Sequence, residues 1–142
     1  MNNYQKFGLI SGQVLMGLLF GFVGAIVTTL TTILYFEVRG QYLDLFPEVL
    51  SAVIGCYLGI QIGIGYNGFK FLKQKGKQQY FPKFFFQSTG GLILGLMISY
   101  FLTISPGIKM SEAIVNCLGV ALPLTGSIIG FDLGLLKRVN DN

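Results

Sequence analysis

Four charge-free stretches constrain this chain more than any other feature. No Asp, Glu, Lys or Arg occurs between Lys6 and Glu37, between Glu48 and Lys70, between Lys83 and Lys109, or between Glu112 and Asp132. Each stretch holds about the 20 residues that an α-helix needs to cross a hydrocarbon core roughly 30 Å thick. The pattern predicts an all-α polytopic membrane protein, one domain over residues 1–142, with spans over residues 10–35, 49–71, 84–105 and 113–135. The first stretch is longer than a crossing requires. Residues 7–11 are therefore expected at the interface or as the extension of a tilted helix. That stretch is also too long for a signal-peptide core and lacks a clear cleavage site, so it is expected to be retained.

Composition supports the same class. Charged residues make up 11% of the chain, against roughly 25% in soluble domains, and the mean hydropathy is +0.65. So few charges could not cover a water-facing surface. Cys56 and Cys117 both fall within predicted spans, where they are expected to act as small buried hydrophobes.

The basic residues orient the spans. Lys70, Lys73, Lys75, Lys77 and Lys83 crowd the connection between spans two and three, and Lys6, Lys137 and Arg138 fall on the same side. The other side carries only Arg39 and Lys109, beside Glu37, Asp44, Glu48 and Glu112. The positive-inside rule then places both termini and the basic loop, residues 70–83, on the cytoplasmic or matrix side of an inner membrane, bacterial or mitochondrial. The lysines alternate with aromatics in "FKFLKQKGKQQYFPKFFF". Because spans border this segment on both sides, a collar on anionic headgroups explains it better than nucleic-acid binding, with a specific partner on that side as the alternative. The partners expected are membrane lipids and other integral membrane subunits or further copies of the chain, with no nucleic acid.

"GIGYNG", residues 63–68, has the spacing of a dinucleotide-binding loop. That fingerprint needs a strand before it and an acidic residue roughly 20 positions on. Here an apolar span precedes it, and residues 83–93 hold no acid. A packing role fits instead. Gly55, Gly59 and Gly63 recur every four residues and form one slowly drifting helical stripe, against which another backbone can approach closely. The other spans repeat this G-x-x-x-G device: Gln13, Gly17, Gly21, Gly24, Thr28 and Thr31 in the first; Gln87, Ser88, Gly91, Gly95, Ser99 and Thr103 in the third; Asn116, Gly119, Gly126, Gly130 and Gly134 in the fourth. Pro123 lies on the last stripe and frees the carbonyl of Gly119, predicting a mid-membrane kink, either structural or lining a substrate site.

"SGQVLMGL" in span one echoes "TGGLILGL" in span three, and "IGYNGFKFLK" in span two echoes "IGFDLGLLKR" in span four. This suggests a duplicated two-helix hairpin. Matching Gln13 to Gln87 aligns the stripes equally well.

No catalytic, cofactor or metal site is predicted. The chain has no His, hence neither the commonest general base nor the commonest imidazole ligand. The polar residues at depth are Gln13, Gln61, Asn67, Asn116 and Asp132. Gln61 falls about 200° around the helix from the stripe of its span. If the glycines face the bundle interior, Gln61 faces a protein partner, since an amide facing bare lipid is costly; the reverse arrangement is the alternative. Asp132 reads as an interfacial acid paired with Lys137, Arg138 or a loop lysine, or else as a functional carboxylate. Two functions follow: a non-catalytic membrane subunit packing laterally into a larger assembly, or a small oligomeric channel or carrier lined by Gln13, Asn67 and Asn116.

Four short spans with such stripes resemble the Tim17/Tim22/Tim23 family of mitochondrial inner-membrane proteins. "TGGLILG" carries the glycine portion of that family's signature at Gly90, Gly91 and Gly95, with Gln79 and Lys83 where the signature has Arg and Asp. The resemblance implies an import or respiratory-complex accessory subunit.

Overall fold

The computed structural model describes residues 3–40, 45–104 and 111–139. Four helices follow one another: α1 (Asn3–Val38), α2 (Leu45–Gln74), α3 (Phe81–Ile104) and α4 (Glu112–Val139), with a 3-10 turn at Gln78–Tyr80 before α3. All four are long and apolar enough to cross a membrane, as an integral membrane protein requires. Each helix contains its predicted span or overlaps nearly all of it. α1 has 36 residues, about 54 Å at 1.5 Å per residue, and absorbs residues 7–11 into one continuous helix.

The ends are set by local chemistry. α1 stops where Gly40 takes a positive φ of 63°, and the Gly40 N–H bonds to the carbonyl of Glu37 at 3.0 Å. α2 closes with a Schellman turn: Gly76 has φ 66°, the Gly76 N–H donates to Lys73 O at 3.1 Å and the Lys77 N–H to Leu72 O at 2.9 Å. Pro82 then falls in the first turn of α3, where its missing N–H costs nothing. The link between α2 and α3 is thereby short and fixed.

α1 packs antiparallel on α2, and α3 antiparallel on α4, so the molecule is two hairpins. Backbones touch in both. A methyl group placed on Gly55 would strike the carbonyl of Gly24, and one on Gly59 the carbonyl of Phe20. In the second hairpin Gly91 and Gly126 block each other in the same mutual way, and Gly130 meets the carbonyl of Gln87. At such distances dispersion contacts form that lipid chains could not replace. Thr28 adds a hydrogen bond from its hydroxyl to Ser51 O at 2.7 Å.

The stripes stop short of their predicted ends. Beyond Thr28, α1 is largely exposed. Thr31 turns its hydroxyl back to Val27 O at 2.7 Å instead of facing α2. α3 and α4 approach closely as far as Gly95 and Pro123, whereas Gly119 has open space where a Cβ would stand and Asn116 is exposed. Cys117 is likewise exposed rather than buried, because it belongs to that unpaired part of α4. The side chain of Thr103 and the surroundings of Gly134 lie outside the described residues, as do Asp44 and Lys109.

The hairpins meet along α2, the most enclosed helix, with 39% of its most apolar stretch buried against 11% for α1. Ile60, Ile64 and Leu72 of α2 join Leu9, Phe84, Leu92, Leu124, Ile128 and Phe131 in one buried cluster.

Candidate functional site

α2 packs on α1 along one face and meets the second hairpin along the other, and "GIGYNG" contributes to both. Gly63 rests on the backbone of Met16 in α1. Gly65 receives the ring of Phe85 from α3, whose Cε2 would lie 2.9 Å from an added Cβ, and Gly68 receives the ring of Phe131 from α4. Asn67 donates to the carbonyl of Leu9 at 3.2 Å, in space left by Gly12. Six residues therefore contact all three other helices. Glycine is needed at 65 and 68 because aromatic rings occupy the places where side chains would be.

Gln61 does turn away from α1, and its partner is the second hairpin of the same chain. Its Nε2 donates to Thr89 Oγ1 at 2.9 Å, and its Oε1 accepts from Ser127 Oγ at 2.9 Å. Ser127 also shares a hydrogen bond with Ser88, 2.6 Å between hydroxyl oxygens. This cluster lies midway along the helices, and Ser88 and Ser127 are fully buried.

One turn from Gln61, Tyr57 makes the complementary contact. Pro123 has no N–H to offer the carbonyl of Gly119, four residues earlier. The Tyr57 hydroxyl donates to that carbonyl at 2.9 Å. A side chain of the first hairpin thus completes the backbone of the second. Tyr57, Thr89 and Ser127 are not evident from stripe patterns. The one signal for Tyr57 is its four-residue spacing from Gln61, which puts both on one face.

Nearer the end that carries the lysines, Gln13 is completely buried and lies beside the carboxyl of Asp132. Neither polar atom of Gln13 reaches hydrogen-bonding geometry with any partner, and the buried Oδ1 of Asp132 also lacks one. Asp132 is half-buried; the side chains of Lys137 and Arg138 lie outside the described residues. Gln13 and Asn67 lie toward this end, while exposed Asn116 stands near the opposite end of α4, so the three do not line one path.

Lys70, Lys73, Lys75 and Lys83 are exposed and Lys77 half-exposed at that same end. Lys75 ties the hairpin shut by donating to Gln5 Oε1 at 3.2 Å. Among the described residues no group of three or more His, Cys, Asp or Glu side chains comes together.

Away from the first hairpin, α3 and α4 leave an open apolar groove of about 620 Å3. Gly90, Gly91, Gly126 and Gly130 form its floor, and Leu94 and Ile129 stand among its walls. Gly90 has nothing within 4 Å of where its Cβ would be. Comparison with protein-family models, with curated proteins and with solved structures finds no match.

Proposed function

We propose that the chain is a non-catalytic integral membrane subunit that packs laterally into a larger membrane assembly through the outer face of α3 and α4. The observation that carries this reading is the glycine-floored groove on that face. A neighbouring transmembrane helix gains close backbone contact on such a floor, whereas disordered lipid chains fill it poorly. The occupant is a helix of another membrane subunit.

Two glycine zippers, one per hairpin, make up the internal frame in this reading. The mutual contacts of Gly24 with Gly55 and of Gly91 with Gly126 give both hairpins the same kind of crossing. They equate Gly24 with Gly91 and Gly55 with Gly126, a register that differs from the sequence echoes of a duplicated hairpin. The clustering of lysines at one end supports an orientation with both termini on the cytoplasmic or matrix side of an inner membrane, where the collar meets anionic headgroups. Import-type and accessory subunits of the family that the sequence resembles are assembly components of the same general kind.

The channel or carrier reading has less support. Buried Ile60, Ile64 and Phe131 fill the space between the hairpins, and Asn116 is remote from Gln13 and Asn67. Purification of the full chain from its native membrane in mild detergent tests the proposal. A membrane partner at fixed stoichiometry is expected, and Gly90→Leu should release it while leaving the chain folded. A stable solitary monomer would overturn the reading; a second copy of the chain in the groove would replace the hetero-partner with a homo-oligomer.

A further inference from the structure

A smaller cavity, about 210 Å3, opens between α1 and α2 at the end that carries the lysines. Its walls are Gly8 and Leu9 of α1 and Asn67, Lys70, Phe71 and Gln74 of α2. Pockets that enclose a drug-sized molecule hold roughly 300 to 1,000 Å3, so this notch suits one small group. The four α2 residues recur at three- and four-residue spacing and share one face. From Asn67 to Gln74 that face runs about 10 Å at 1.5 Å per residue. A headgroup layer is roughly 5 to 8 Å deep on each side of a bilayer, and the notch is long enough to cross it.

The lining selects the charge of the occupant. Lys70 brings an ammonium and Gln74 an amide N–H, while Asn67 is fixed by its hydrogen bond to Leu9 O at 3.2 Å. Lys70 is exposed and, among the described residues, forms no hydrogen bond or ion pair. Lys75, by contrast, is engaged: it bonds to Gln5 Oε1 and lies 6.0 Å from the centre of the Phe71 ring. No Asp or Glu occurs in residues 1–36 or 49–111, and Asp132 on α4 is not part of the wall. The group that fits is therefore an anion. A zwitterionic headgroup fits less well, because its own cation would stand near Lys6 and Lys73 with no carboxylate in the wall to receive it.

The surface below the notch separates a lipid from a free anion. Gly8, Leu15 and Phe22 recur every seven residues and lie on one face of α1. Leu15, Phe22 and the flanking Leu18 are exposed, an apolar lane that leads from the notch toward mid-membrane. We propose that the notch binds one phosphate-bearing anion, supplied by an anionic phospholipid whose acyl chain lies along that lane. The site rests on the reading that the lysine end meets headgroups, and is independent of lateral assembly through α3 and α4.

Native mass spectrometry of the full chain, released from mild detergent, counts bound lipids and tests the site. Phosphatidylglycerol is titrated against phosphatidylcholine with the same acyl chains, and sodium phosphate is the third ligand. The parent should take up one phosphatidylglycerol ahead of any phosphatidylcholine. Gly8→Leu should abolish that first binding; nothing lies within 4 Å of where a Cβ would stand at Gly8, so the leucine fills the notch without striking the fold. Lys70→Gln should weaken it about fivefold, the worth of one lysine at a headgroup surface. Lys77→Gln and Lys83→Gln, in the collar outside the notch, should change it far less. A folded G8L chain that binds the first lipid as the parent does overturns the site. Equal weakening by K70Q, K77Q and K83Q also overturns it and leaves a diffuse collar standing, whereas a parent without preference for phosphatidylglycerol removes both. Inorganic phosphate bound as tightly as the lipid overturns the lipid as the source of the anion. Should circular dichroism show G8L misfolded, K70Q against K83Q decides.

Discussion

The two hairpins share one crossing and differ in what they show to the outside. Gly24 meets Gly55 in the first as Gly91 meets Gly126 in the second. One position before each of these glycines, the first hairpin has Val23 and Ile54, and the second has Gly90 and Thr125. Val23 and Ile54 cover the first crossing with side chains that are 47% and 49% exposed. Over the second crossing Gly90 contributes no side chain and Thr125 a smaller one than Ile54, and the groove results. The same internal joint therefore carries a finished lipid-facing surface in one half and an unfinished one in the other.

The largest expected effect tests whether the crossings are equivalent. Gly55→Leu and Gly91→Leu each drive a side chain into a facing carbonyl. Each should cost about 3 kcal/mol or more, read as loss of the folded bundle in a denaturation titration in bicelles. If G91L were tolerated while G55L was not, the equivalence would break.

Next comes the contact between the hairpins. Gln61→Leu removes the bridge to Thr89 and Ser127 and should weaken their association by about 1 to 2 kcal/mol. Loop cleavage at residues 75–77 followed by measurement of hairpin dissociation would reveal it. Tyr57→Phe should cost about 1 kcal/mol by orphaning the Gly119 carbonyl. In a Pro123→Ala background the restored N–H takes over that carbonyl, so the cost of Y57F should fall by at least half. An equal cost in both backgrounds would mean that the hydroxyl does not stand in for the missing donor.

The smallest effect on stability is expected at the groove. Gly90→Val gives the second hairpin the residue that the first has at the matching position. It should change stability by no more than about 0.5 kcal/mol, while loss of any co-purifying partner reports on the surface alone.

Much of this was legible in the residues. Gaps between charges located all four helices, because lipid tolerates few charges and the count of apolar residues measures the crossing. The four-residue spacing of Gly55, Gly59 and Gly63 marked the face that meets α1, and placed Gln61 away from it. What remained hidden was the identity of each partner. A stripe shows that something comes close, not which helix it is, so Gln61 pointed to an outside protein although Ser127 and Thr89 belong to the same chain. Spacing also continues past the place where two helices diverge, and so Thr31, Gly119 and Asn116 seemed to belong to interfaces that end before them. The pairing of Gln13 with Asp132 depends on how the hairpins dock, which no periodicity within a single helix encodes.

The bridge from Ser127 to Gln61 also has a consequence during synthesis. α1 and α2 are complete, and can close on their glycines, before the ribosome has made α4. Until α3 brings Thr89 to the Gln61 amide and α4 brings the Gly119 carbonyl to the Tyr57 hydroxyl, both groups sit on the outside of a two-helix intermediate with no partner from their own chain. The nascent hairpin is therefore briefly adhesive. A membrane chaperone or a second nascent chain would find its grip there, and arrival of the second hairpin ends that opportunity.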